Sequence, residues 1–507
     1  MDFHLNTLID KAKVLLQPGE GIYQRTVRSG FWVFTLRITE QLFGIARLII
    51  LARVLTPNDF GLMGIALLAL ATLETFTQTG FQQALIQKKE NISDYLDTAW
   101  TVLLIRNIFL CTILFFSAPY IALFFDAPSA TGIIQAIGFS LLFGGSGGIG
   151  GFVNIGIIYF QKELEFNKQF FWRISGTLTD FIVSVTAALI LKNVCALILG
   201  LLAGNLVRLF MSYFIYPYRP RFKIDRTKSR ELFGFGKWIL GSSILAFMLT
   251  EGDDILVGKI LGTTALGFYQ MAYRVSNAPA TEITHVISQV TFPAYAKLQD
   301  NITGLKGAYL KVLQVTTFLS FPIAGLIFVL APDFTKIFLG DKWIAIVPTM
   351  QILVWWGVIR GLVGVISPLF LSIGRPDILT KMQGIQTILL FILIYPLTNN
   401  WHITGTSLAV LSSALTMFFI RNHIFIKIIN SNIFEFYKPI TIPAILTIIN
   451  ILITISFKNH FANLGDIYIF ILSLIVFILI SLFLSYIAER FFNYKMKALI
   501  KELLSSI

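Results

Sequence analysis

An apolar segment occurs twice in this chain, 206 positions apart and without a gap, residues 30–61 aligning with 236–267. Gly30/Gly236, Trp32/Trp238, Ile38/Ile244, Ile49/Ile255, Leu55/Leu261 and Gly61/Gly267 are identical, and Arg53 and Lys259 are both basic. Most other pairs exchange one apolar side chain for another, and both copies end in a short polar turn. A long apolar run closed by a tight turn reads as a membrane-crossing helix, so the repeated unit is a helix bundle in lipid. Two such bundles leave a cleft between them, the usual architecture of a transporter.

Composition agrees. Hydrophobic residues make up 56% of the 507 and charged residues 13%, with a mean hydropathy of +0.76. A soluble domain carries about 25% charged residues, so lipid is the main solvent of this surface. A crossing helix needs about 20 residues, and apolar stretches of that order fall near 30–53, 62–86, 98–125, 132–158, 170–191, 194–217, 236–258, 267–292, 308–330, 343–372, 379–397, 402–424, 439–457 and 466–488. The expected fold is an all-α integral membrane protein of about 14 transmembrane helices. No cleavable signal peptide is visible, and residues 1–29 read as a cytoplasmic amphipathic segment along the membrane surface. Cys111 and Cys195 lie in apolar stretches with no evident partner, which disfavours disulfide, zinc and redox readings.

The net charge of +13 invites a nucleic-acid reading, but its placement argues otherwise. On the loop side that holds both termini lie 27 Lys and Arg, against 6 on the other side. That asymmetry places both termini in the cytoplasm, as in a multi-pass membrane protein. The basic charge is a topology signal, and no nucleic-acid partner is expected. Its densest stretch, Arg219 to Arg230, reads as an orientation signal and linker, with recruitment of anionic lipid as the alternative.

Six spans separate the starts of the two copies, and an even number means that both face the same way. Two parallel six-helix lobes related by a pseudo-twofold axis follow. The expected division is 30–217 for the N-lobe, 218–235 for a basic cytoplasmic linker, 236–428 for the C-lobe, 429–488 for two extra C-terminal helices, and 489–507 for a cytoplasmic tail.

At this point the residues carry a resemblance. Leu51-Ala-Arg-Val-Leu-Thr-Pro-Asn-Asp-Phe-Gly61 continues into Thr79-Gly-Phe-Gln-Gln-Ala-Leu-Ile86. The second copy, Asp253-Asp-Ile-Leu-Val-Gly-Lys-Ile-Leu-Gly262, continues through Ala265-Leu-Gly-Phe-Tyr269 and Ala272-Tyr-Arg274 to Phe292-Pro-Ala-Tyr-Ala-Lys-Leu-Gln299. Together these resemble the polysaccharide flippases of the multidrug/oligosaccharidyl-lipid/polysaccharide exporter superfamily, above all the colanic-acid-exporter-like branch, over roughly residues 28–430. The resemblance implies alternating access and an undecaprenyl-diphosphate-linked oligosaccharide carried across a bacterial inner membrane. It implies no cofactor and no catalysis, a monomer, and as partners membrane lipids and polysaccharide polymerase machinery. In related lipid flippases an added helix pair shelters the lipid tail, and the resemblance extends that expectation to residues 429–488.

Charges inside the spans mark the candidate site, because a charge at the bilayer centre costs about 2.5–3.5 kcal/mol on insertion scales and so faces a cavity or a partner. Arg37, Glu40, Gly44 and Arg47 fall on one stripe of the first helix. Either Arg37 and Glu40 neutralise each other, or the surplus cation grips a pyrophosphate. Glu74, Gln78 and Gln82 share the next face, suited to sugar hydroxyls or to neighbouring helices. Arg274 and Arg360 complete the cavity candidates, with Arg106, Arg173 and Arg208 ranked lower as snorkelling side chains. Asp180 is expected to pair with Arg173 or with a neighbouring span.

Glu251, Asp253 and Asp254 form an acidic cluster, and Glu282 with His285 is a candidate proton carrier; these five are the gate or ion-coupling candidates. The repeat sets Arg47 against Asp253, an expected ion pair closing the outward side. Gly144-Gly-Ser-Gly-Gly-Ile-Gly-Gly151 lacks the lysine of a phosphate loop and reads as close packing or a bend. No metal site is expected. The competing readings are a drug exporter of the same superfamily, disfavoured by arginine in the cavity, and a membrane polysaccharide polymerase or ligase, disfavoured by the short outward loops.

Overall fold

The computed structural model describes residues 22–88, 92–277, 291, 295, 298, 301–428, 432–461 and 463–491. Among the described residues every regular element is helical, and nine helices are long and apolar enough to cross a membrane. The chain divides into two compact units, Met1–Phe247 and Met248–Ile507, called here the N-unit and the C-unit.

The N-unit contains α1 (Ile22–Val54), α2 (Pro57–Phe76), α3 (Phe81–Gln87), α4 (Ser93–Phe124), α5 (Ala130–Gly138), α6 (Ile158–Lys162), α7 (Phe166–Leu191), α8 (Cys195–Ile215) and nearly all of α9 (Arg226–Thr250). The turn expected at Thr56 is a capping box: Asp59 N–H donates to Thr56 Oγ1 at 3.3 Å and Thr56 N–H to Asp59 Oδ2 at 2.9 Å, with Pro57 at the first helical position. Helix α1 is not among the nine apolar spans, because Arg37, Glu40 and Arg47 interrupt its run. Close packing of α7 on α8 rests on small residues: a Cβ on Gly204 would lie 2.7 Å from the Gly176 carbonyl, and one on Gly200 2.6 Å from Asp180.

The C-unit contains α10 (Gly252–Leu261), α11 (residues 263–277), α12 (Ile302–Phe334), α13 (Val347–Ser372), α14 (Pro376–Ile428), α15 (Ile433–His460) and α16 (Asp466–Phe491). Leu313, Leu362, Ile366, Met417, Phe425 and Phe436 are fully buried or nearly so at its centre. The last two helices fasten onto the end of α12, onto the turn at 335–339 that follows it, and onto each other. Lys458 pairs with Asp333 at 2.5 Å, Lys336 with Asp466 at 2.8 Å, and Asn450 Nδ2 donates to the Phe477 carbonyl at 3.0 Å. Leu479, Leu482 and Phe483 of α16 remain exposed, as a lipid-facing helix requires.

Three expected spans are interrupted. The stretch 62–86 breaks at residues 77–80, where Gly80 takes φ +67°. The stretch 132–158 dissolves after Phe143 into a glycine loop that regains helix at Ile155. The stretch 236–258 breaks at Glu251, whose φ of −123° ends α9 and starts α10. The expected pair 379–397 and 402–424 is two helices, parted at Trp401 and His402, where the backbone leaves helical φ/ψ and His402 takes φ +52°. Gly405 is obligatory at that turn, because a Cβ there would overlap the Leu397 carbonyl.

Candidate functional site

The breaks in the N-unit surround a polar cavity of about 260 Å³. Its walls include Glu74, Thr75, Gln78, Thr79, Gln82, Gln83, Arg106, Asn107 and Ser146. Gln82 does not continue the helix face of Glu74 and Gln78, since it belongs to α3; the break at Gly80 nonetheless returns it to the same space. Arg106 closes the C-terminal end of α2. Its Nε donates to the Thr77 carbonyl and its Nη2 to the Glu74 carbonyl, both at 2.9 Å, and Nη2 reaches Thr77 Oγ1 at 2.8 Å. A guanidinium at a helix C-terminus satisfies orphan carbonyls and complements the dipole.

The glycine loop forms the other wall. Gly144, Gly145, Gly148, Gly150 and Gly151 all have positive φ, between 56° and 131°. Non-helical backbone at membrane depth is tolerated only where it is buried in protein or lines a cavity, and this loop does line one. Ser146 donates to Glu74 through its N–H (3.2 Å) and through its hydroxyl. Asn107, 1% exposed, donates to the Leu141 carbonyl at 2.8 Å. The loop is therefore a built wall rather than a slack bend.

On α1 and α7 the charges form a ladder. Glu40 pairs with Arg173 at 3.0 Å and Arg47 with Asp180 at 3.0 Å, and Arg47 Nε also donates to Ser184 Oγ at 2.9 Å. Arg208 on α8 lies within the field of Arg173, Glu40 and Asp180. It donates to Asn205 Oδ1 at 3.4 Å and to Thr177 Oγ1 at 3.2 Å. Asn205 then donates to the Gly145 carbonyl at 3.4 Å, which joins the ladder to the cavity wall. Asn205 escaped the sequence reading because an uncharged amide in an apolar run carries no signal by itself. Of the alternatives for Asp180, the neighbouring span is the one observed.

In the C-unit the acidic cluster sits at the α9–α10 break. Asp253, 2% exposed, accepts from the Tyr269 hydroxyl at 2.6 Å, and Asp254 from Gln270 Nε2 at 2.8 Å. The first turn of a helix favours carboxylates, and Gly252-Asp-Asp is that first turn. Arg274 acts electrostatically on Asp254, although its side chain is exposed. Arg360 Nη1 reaches the Tyr273 hydroxyl at 3.4 Å and its guanidinium lies 5.4 Å from the Trp356 ring.

The residues singled out in the sequence thus fall into three sets. Glu74 and Gln78 line the cavity. Glu40 and Arg47 join the ladder on α1, the helix that also carries Arg37. Glu251, Asp253, Asp254, Arg274 and Arg360 belong to the C-unit. Glu282 and His285 lie outside the described residues. Arg47, expected to meet Asp253, pairs with Asp180 inside the N-unit, and Asp253 accepts from Tyr269 inside the C-unit. Arg106 and Arg208 belong to the site more closely than their ranking implied. Arg421, within the expected span 402–424, is 5% exposed and donates to Gln386 Oε1 at 2.7 Å. Among the described residues no group of three or more His, Cys, Asp or Glu is placed to hold a metal ion.

A many-helix membrane protein with a polar cavity and intramembrane charge pairs has the form of a transporter, and comparison with known proteins narrows the class. The chain belongs to the family described as polysaccharide biosynthesis protein, whose model matches residues 50–348. The lipopolysaccharide biosynthesis protein WzxC of Escherichia coli (strain K12) is 27% identical over 368 residues, covering 72% of this chain and 74% of that protein. The teichuronic acid biosynthesis protein TuaB of Bacillus subtilis (strain 168) is 24% identical over 374 residues, 73% of this chain and 75% of that one. In fold the chain is similar to the lipid II flippase MurJ in an inward closed conformation. The TM-score is 0.70 at 14% identity, over 92% of this chain and 99% of that one.

Proposed function

We propose that this protein is a flippase that carries a lipid-linked oligosaccharide, with an undecaprenyl-diphosphate carrier, from the inner to the outer leaflet of a bacterial inner membrane. Both termini are cytoplasmic, and the product feeds synthesis of a cell-surface polysaccharide. The observation that carries the reading is the charge content of the α1–α7–α8 cluster, where Arg47, Arg173 and Arg208 face Glu40 and Asp180. That surplus of positive charge suits a diphosphate, which arginine binds bidentately, and Arg37 lies on the same helix, α1. The neighbouring amides and hydroxyls of Gln78, Gln82, Thr75 and Asn107 suit sugar hydroxyls, in a space of about 260 Å³. Membership of a polysaccharide biosynthesis family and the fold of a lipid flippase support the same reading. Glu251, Asp253 and Asp254 are the proposed ion-coupling groups, with Glu282 and His285 as further candidates. An ion gradient supplies about 2.3 kcal/mol per charge per 100 mV.

The test is accumulation of lipid-linked repeat units in cells lacking the protein. The expected result is that units build up on the cytoplasmic leaflet, that the parent chain clears them, and that Arg208→Gln, expressed at the parent level, clears them at least tenfold more slowly. Units that reach the outer leaflet and remain unpolymerised would instead assign the protein to a step after flipping.

A further inference from the structure

The basic stretch between α8 and α9 is fastened down. Asn154 Nδ2 donates to the carbonyls of Tyr216 at 3.2 Å and Tyr218 at 2.7 Å, fixing the upstream end. The segment then runs along the first turns of α4. The Tyr218 hydroxyl donates to the Asp97 carboxylate, Arg221 N–H to Asp97 Oδ1 at 2.9 Å, Lys223 N–H to Thr101 Oγ1 at 3.1 Å, and Asp225 N–H to Thr98 Oγ1 at 3.3 Å. Downstream, Lys228 Nζ donates to the Asp94 carbonyl at 3.0 Å, and Glu231 pairs with Lys88 at 2.5 Å. An orientation signal needs only charge; this segment has a fixed backbone as well.

The fixed backbone displays two kinds of side chain. Arg221, Lys223 and Arg226 are exposed. Between them Phe222 is 75% and Ile224 57% exposed. The Phe222 ring stands edge-on to Trp100 with centroids 5.1 Å apart, and Trp100 lies two turns into the membrane helix α4. Trp100 itself is buried (6% exposed) and anchors the ring; an exposed apolar pair interleaved with cations at the end of membrane helices matches the boundary between headgroups and acyl chains. A soluble polyanion would leave Phe222 and Ile224 without a role.

We propose that the strap 219–226 is a docking site for anionic phospholipid, in which Arg221, Lys223 and Arg226 hold headgroup phosphates while Phe222 and Ile224 seat among the acyl chains beside Trp100. The site is independent of the transported substrate.

The test uses the full chain in nanodiscs of equimolar phosphatidylglycerol and phosphatidylcholine, with Phe222 replaced by the photoreactive p-benzoyl-phenylalanine. Irradiation is expected to give lipid adducts enriched in phosphatidylglycerol. The enrichment should be about fivefold for each basic group that contacts a headgroup. Adding Arg221→Gln and Lys223→Gln should bring the adduct ratio close to the bulk ratio. Labelling of the exposed Cys195 from outside intact cells, equal in parent and variant, shows that lost charge has not inverted the protein. A parent adduct ratio equal to the bulk, a ratio insensitive to the two substitutions, or adducts with soluble protein alone would overturn the proposal.

Discussion

Glu40 and Arg47 are seven residues apart on α1, and so are their partners Arg173 and Asp180 on α7. The signs alternate, so sliding one helix by two turns sets Glu40 against Asp180 in one direction or Arg47 against Arg173 in the other, and leaves the remaining two charges unmatched. Like charges in a low dielectric are costly, and the ladder therefore specifies register as well as adding stability. Arg47→Asp is expected to lower the thermal unfolding temperature by placing two carboxylates together. Arg47→Asp with Asp180→Arg should recover most of the loss, with a coupling energy of about 0.5–3 kcal/mol in a double-mutant cycle. An additive double variant would show that the pair carries no coupling. The α1 stripe was legible because helical spacing fixes which residues share a face. Its partner was not, because spacing says nothing of which neighbour that face meets. Gly150 shows the same limit: the sequence marks a glycine-rich bend without saying which glycine is indispensable. Gly150 has φ +131°, and a Cβ there would lie 2.7 Å from Asn107 Nδ2, whereas a Cβ on Gly147 meets nothing within 4 Å. Gly150→Ala should cost about 1–3 kcal/mol and Gly147→Ala close to nothing, read as melting temperatures of the two variants in detergent.

Among elements, apolar run length located the helices well and missed the interruptions inside them. Glu251-Gly-Asp-Asp254 was read as a charge cluster within a span, although acidic residues after a glycine also mark a helix start. The 77–80 break was hidden because Gln78 and Gln82 keep helical spacing across it. The strap joining α8 to α9 was legible as charge and not as structure, since its anchors Asp97, Thr98 and Thr101 lie more than a hundred residues earlier. Its downstream clasp is open to titration. The Lys88 ammonium and then the Tyr95 hydroxyl, both donating to Glu231, hold that carboxyl below its usual range. Lys88, donating to Glu231 and to the Tyr95 hydroxyl, is held above its usual range. A depressed carboxyl contributes stability that is complete above its unfolded pKa of about 4.3 and is lost as pH falls through the folded value. The raised ammonium contributes below its unfolded value of about 10.4 and is lost only as pH rises beyond that. Glu231→Gln should therefore speed amide exchange at residues 221–225, after correction for intrinsic rates, by the same factor from pH 6 to 9. The difference from the parent should begin to shrink only below the unfolded value of about 4.3 and vanish once the pH falls below the depressed folded value, and one persisting after Glu231 is protonated would assign the protection to other contacts.

For the whole molecule, the 206-residue repeat and the Lys and Arg asymmetry speak to different things. The repeat predicts two similar bundles with the second starting at 236; the two compact units of the chain part between Phe247 and Met248, inside α9. The repeated helices nonetheless differ in build: α1 runs unbroken through Ile45, whereas its equivalent Glu251 separates α9 from α10. Duplication followed by divergence of single residues produces such a pair, because one glycine and two carboxylates suffice to start a new helix. Orientation rests on charge alone, since packing is the same whichever way the bundle inserts. With 27 basic residues on the side of the termini against 6 opposite, the free energy of insertion favours that side staying in the cytoplasm. A fluorescent protein that matures only in the cytosol, fused after Ile507, is expected to be bright, and alkaline phosphatase at the same point inactive. Inserted after Lys192, in the tight turn between α7 and α8 where φ is +51°, the two reporters should exchange their behaviour. The strap makes the test sharper. Neutralising Arg221, Lys223 and Arg226 removes three cations from the dense side and still leaves 24 against 6, so the reporters should not change. A reversed pattern in that variant would mean that the strap, rather than the summed charge, orients the protein.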